Sequence, residues 1–102
     1  MPHRVIDEIF NEVPFPGWAF EHAAITETSL MMYFAPELVH EERMIDEKGA
    51  EPKPYHKYPI DKDAVPANGV LATAKTSSAA KGKVIVDAVL TELVDIVEKV
   101  FE

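Results

Sequence analysis

Cysteine is absent from the 102 residues. That removes disulfides, thiolate nucleophiles and cysteine-ligated zinc together, and it suits a reducing cytoplasm. Positive charge is scarce. Ten Lys and Arg stand against eighteen Asp and Glu, a net charge of −8. The deficit falls mainly in residues 1–50, with three basic and ten acidic side chains, against seven and eight in residues 51–102. A chain without a basic stripe is not built to hold nucleic acid or an anionic membrane surface. No apolar run approaches the ~20 residues of a membrane span, and the start MPHRVIDEIF lacks the apolar core of a signal peptide. No glycine-rich phosphate loop occurs. No G-x-S-x-G surrounds Ser29, Ser77 or Ser78, which argues against a serine nucleophile.

What the chain does contain is enough for one domain with a single modest core, since 47% of it is hydrophobic. Val5, Ile6, Ile9, Phe10 and Val13 recur at helical spacing and predict a helix over 3–13. Pro2 suits its first turn, and Asp7 and Glu8 complement its dipole. Pro14, Pro16 and Gly17 end it. Residues 18–25 read as non-helical, a short strand leading into a loop. Thr26 or Thr28 then caps a helix carrying Leu30, Met31 and Phe34, closed or kinked by Pro36. Met31, Met32, Tyr33 and Phe34 read as core packing.

Residues 40–75 are interrupted by Pro52, Pro54, Pro59 and Pro66, and Asn68-Gly69 marks a turn. Tyr55, Tyr58, Ile60, Val65, Val70 and Leu71 are the expected anchors of this long ordered loop. Residues 77–101 form the strongest helix signal, capped by Ser77 or Ser78. Asp87, Thr91, Asp95, Glu98 and Glu102 make one polar stripe, and nearly everything else from Val84 to Phe101 is apolar. So wide an arc exceeds what a surface helix needs, and it implies self-association or a place in a larger fold. Gly82 lies near the start, where close backbone packing is the usual use of glycine.

The candidate chemistry gathers in the run FPGWAFEHAAITETSLMMYFAPELV, residues 15–39, which holds the only tryptophan. Glu21 and His22 form a candidate acid–base pair, since imidazole titrates near neutrality and a carboxylate can orient it. The plain alternative is a solvated histidine beside a solvated glutamate. Glu27 sits where an acid favours a helix start, or braces the loop. Trp18 is a mobile lid or a core anchor. Metal spacing is poor. His40-Glu41 opens like a zinc helix motif, but Met44 stands where the second histidine belongs. His3 and His56 have no ligand partner at useful spacing, and His40 and His56 read as solvated.

The core EHAAITETSLM after Trp18, continued by PANGVLATAKTSSAAKGK and the last helix, resembles the C-terminal portion of the creatininase (creatinine amidohydrolase) family. The resemblance spans nearly the whole chain, 1–102, read as a partial creatininase-like domain. It implies an α/β class, a three-layer α/β/α fold to which this chain contributes mostly helices and long loops. It further implies a homo-oligomeric, usually hexameric, hydrolase with zinc or manganese that opens the cyclic amide of creatinine to creatine. By the family pattern His22 moves a proton to the leaving ring nitrogen, Glu21 assists, Trp18 closes over the pocket and Glu27 braces the loop. Two departures stand out. The family's metal-ligand segments lie in its N-terminal part and are absent here, so the chain is expected to be inactive alone. Ala19 also occupies a position where creatininases can carry an acid. The alternative is a non-catalytic helical oligomerisation module derived from that family.

Overall fold

The computed structural model describes residues 3–46, 53–55, 57–62 and 64–102. Pro2, Pro52 and His56 lie outside them. Helix α1 runs His3–Ile9, α2 runs Ile25–Phe34 and α3 runs Ala79–Val100, with short 3₁₀ turns at Trp18–Phe20, Pro36–Leu38 and Glu41–Arg43. Among the described residues there is no strand. None of the described helices is long and apolar enough to cross a membrane.

Helix α1 stops short of the expected residue 13. Pro14 disfavours helical backbone at Val13, so Phe10 to Val13 finish in turns instead. Phe10 N–H still reaches Ile6 O at 2.9 Å, and Val13 N–H reaches Phe10 O at 3.1 Å. Asp7 and Glu8 fall beyond the first turn, which holds no acid, so the expected dipole benefit is lost. The strand expected at the start of 18–25 is a 3₁₀ turn. Gly17, at φ +99°, supplies the backbone that leads into it. A lone extended segment would leave its backbone groups unpaired, and the described residues hold no neighbouring strand to pair them.

The core is Val5, Ile9, Phe10, Ile25 and Ile85, with Ile6, Leu30 and Val84 packed around it. Burying each such apolar side chain stabilises by about 1.5–3 kcal/mol. Helices α2 and α3 cross with their backbones almost touching at Ser29 and Gly82. A Cβ on Gly82 would lie 2.1 Å from Ser29 O and 2.8 Å from Tyr33 Cβ, so no other residue fits. Ser29 is fully buried, and its Oγ accepts from Ser78 N–H at 3.2 Å. Ser78 itself caps α3, its Oγ accepting from Lys81 N–H at 3.1 Å. Lys81, with its stem buried, donates from Nζ to Thr76 O at 2.7 Å and lies 3.6 Å from the Glu12 carboxylate.

Cover is incomplete. Of the run Met31, Met32, Tyr33 and Phe34, expected in the core, only Met32 is buried. The second half of α2, Leu30 to Phe34, is apolar all round, and α3 covers one side only. Of the expected loop anchors, Tyr55, Tyr58 and Ile60 are exposed, while Val65, Val70 and Leu71 are half-buried. The second half of α3 is bare: Val89, Leu90, Leu93, Val94, Ile96 and Val97 are all exposed.

Candidate functional site

Residues 21–24 link the Trp18–Phe20 turn to α2. Glu21 N–H donates to Trp18 O at 3.2 Å, and His22 N–H donates to Phe20 O at 2.9 Å. Ala23 follows at φ +54°, the left-handed region, where a Cβ costs roughly 1–2 kcal/mol. Two contacts hold it there. The Glu27 carboxylate accepts from Ala23 N–H at 2.5 Å, and Leu71 N–H donates to His22 O at 3.3 Å.

The expected threonine cap is replaced by carboxylates. Helix α2 begins at Ile25, so Thr26 and Thr28 lie inside it, and Ala24 at the cap position offers no side-chain acceptor. Glu21 Oε2 accepts from Thr26 N–H at 3.0 Å instead. A carboxylate reaches across the turn and carries the charge that a helix N-terminus favours, which a hydroxyl does not. Thr26 Oγ1 is left buried without a partner.

The other oxygen, Glu21 Oε1, is buried and has no donor. Glu21 as a residue lines a cleft of about 640 Å³ together with Val13, Phe20, Ile25, Leu71 and Thr76. Thr76 Oγ1 is likewise buried without a partner. An unpartnered carboxylate oxygen costs about 1–3 kcal/mol or more, and it is a ready acceptor for a cationic or N–H-bearing group. His22 is exposed, and the two neighbouring side chains share no hydrogen bond. Trp18 is 52% exposed and meets Phe15 edge-on at 5.1 Å, while Phe15 packs on Phe10 at 5.0 Å. The structure thus brings Glu21 and Glu27 together at the start of α2 and leaves His22 and Trp18 exposed on the same stretch. Ala19 is exposed beside them.

Among the described residues no group of three His, Cys, Asp or Glu side chains could hold a metal ion, so these residues do not fit a metal centre. His40 is exposed and lies 3.5 Å from Glu42. Sequence reasoning missed Leu71, which ties a distant loop to the backbone of His22, and Thr76, which faces the same cleft as Glu21. Fifty residues separate them from the motif, and no periodicity signals that distance.

A family model described as creatinine amidohydrolase matches residues 6–97. A creatinine amidohydrolase from Pseudomonas putida is 37% identical over 97 residues, covering 95% of this chain and 37% of the relative. A solved structure described as creatininase Mn superposes with a TM-score of 0.85 at 37% identity, over 96% of this chain and 38% of that one. A substituted creatininase of Zn-Zn type gives a TM-score of 0.87 at 36% identity, over 98% and 38%. The chain therefore spans well under half the length of the relatives it matches.

Proposed function

Because this chain belongs to the creatininase family, we propose that it is the C-terminal portion of a metal-dependent hydrolase of cyclic amides, with creatinine as substrate and creatine as product. The metal, zinc or manganese, would be held by the remainder of a three-layer α/β/α fold and would supply Lewis-acid chemistry there. This chain's share is acid–base and positioning work. Opening the ring breaks a C–N bond, and the departing nitrogen must take a proton, because an amine leaves far better than an amide anion. The exposed imidazole of His22 is the group in this chain suited to carry that proton. Glu21, whose Oε1 has no donor, accepts an N–H of the substrate at the cleft that the residue lines. Glu27 holds Ala23 in its left-handed backbone and so fixes the direction of His22. Trp18 closes over the bound ring.

The single observation that carries this reading is the buried, donorless Glu21 oxygen beside the exposed His22, on a loop pinned by Glu27 and Leu71. The test supplies the preceding part of a creatininase, fused or in trans, and measures creatinine hydrolysis. His22→Asn should lower kcat by about a hundred- to ten-thousandfold with a smaller effect on KM, while metal content stays unchanged. Near-full turnover in that variant would refute the assignment. The bare half of α3 favours a second reading, a non-catalytic helical module that associates with itself. Metal-dependent hydrolysis by the completed protein decides against it.

A further inference from the structure

The peptide unit between His22 and Ala23 is held at both of its polar atoms. Its carbonyl, on His22, accepts from Leu71 N–H at 3.3 Å, and its N–H, on Ala23, donates to the Glu27 carboxylate. A peptide unit is planar, so holding both atoms fixes the backbone rotation on each side of it. Those rotations aim the His22 side chain and place Ala23 at φ +54°. Glu27 is local to the motif. Leu71 is 49 residues away, and its N–H has to be delivered.

The turn just before Leu71 delivers it. Gly69 N–H donates to Pro66 O at 2.9 Å, closing a four-residue turn. Val70 N–H donates to Asn68 Oδ1 at 3.0 Å, the reach of an asparagine side chain onto backbone two residues on. Leu71 N–H is the next donor along, and it goes to His22. Gly69 sits at φ +77°, in the left-handed region, and a Cβ there would meet nothing within 4 Å. Backbone conformation, not crowding, therefore calls for glycine. Asn68 and Val70 also line one small cleft with Ala23, so the turn lies beside the other end of the same peptide unit.

We propose that the 66–69 turn is a positioning device for His22, with Asn68 and Gly69 as its positioning residues. They act through Leu71 N–H on the His22 carbonyl. Every contact in this clasp lies within the chain itself, and its catalytic role rests on the acid–base reading of His22 above.

Gly69 allows a graded test, because residue types differ in their tolerance of positive φ. In the completed protein Gly69→Asn should keep kcat within about twofold, since asparagine visits the left-handed region readily. Gly69→Val should lower kcat about a hundredfold, the cost of a misplacement of about 1 Å, with KM and metal content little changed. Asn68→Ala should lower it about tenfold, and Asn68→Asp, which offers the same acceptor, should not. In a His22→Asn background Gly69→Val should add less than about twofold, because a residue that acts by aiming His22 then has nothing left to aim. A loss that persists at full size in that background overturns the proposal. So does full kcat in Gly69→Val, or a Gly69→Asn as impaired as Gly69→Val. Near-full turnover of His22→Asn, or no hydrolysis by the completed protein, refutes the acid–base reading instead and leaves the clasp to a measurement on the full chain alone. There, NMR hydrogen exchange at the Leu71 amide should quicken at least about tenfold in Gly69→Val but not in Gly69→Asn, and the His22 ring resonances should shift with it. Exchange and resonances unchanged by Gly69→Val overturn the clasp.

Discussion

The two halves of α3 have nearly the same apolar content and opposite environments. In residues 79–88, Gly82 presses its backbone on Ser29, Ile85 is 3% exposed in the core, and Val84 and Ala88 pack against it. In residues 89–100, every side chain is exposed. One continuous helix therefore passes from a packed body onto uncovered ground with no change in hydrophobic pattern. Periodicity states which side a helix would bury. Whether that side is buried depends on what else arrives, here α1 and α2, which reach only the first half.

Substitutions can break or sharpen that contrast. The largest effect is expected at the crossing. Gly82→Ala forces α2 and α3 apart at a backbone atom that cannot rotate away. It should cost more than about 4 kcal/mol, enough to abolish cooperative unfolding in urea followed by circular dichroism. Next comes a matched pair. Ile85→Ala should destabilise by about 2–5 kcal/mol through cavity formation, whereas Val97→Ala in dilute monomeric chain should change stability by under about 0.5 kcal/mol. Equal losses at both sites would erase the distinction between the halves. Ser78→Ala removes the cap of α3 and should cost about 1 kcal/mol in the same titration. A change of opposite sign is expected at Ala23. Glycine there relieves the left-handed backbone, offset by the greater freedom of the unfolded chain, so Ala23→Gly should raise stability by under about 1 kcal/mol.

Much of the helical skeleton was legible from local chemistry. The cap at Ser78, the stop before Pro36 and the close approach at Gly82 follow from residue types whose effects act within a turn or two. The expectations that failed did so where a neighbour was needed. The strand in 18–25 had no partner to pair with. The end of α1 was shortened by Pro14. The threonine cap of α2 lost to carboxylates at Glu21 and Glu27, which the fold of the loop turned onto Thr26 N–H and Ala23 N–H. Tyr55, Tyr58 and Ile60 were apolar enough to anchor a loop, but they remain exposed.

For the candidate site, residue identities carried the motif, because Trp18, Glu21, His22 and Glu27 fall within ten positions and local turn chemistry keeps them on one stretch. The cleft was decided by tertiary structure alone. Leu71 N–H reaches the His22 carbonyl, and Thr76 lines the same cleft as Glu21, each across some fifty residues. The physical reason is range. Propensity, capping and proline effects are settled between residues a few positions apart, and the sequence displays them. Burial, cleft walls and the left-handed backbone at Ala23 depend on contacts that exist only once distant segments have been packed together.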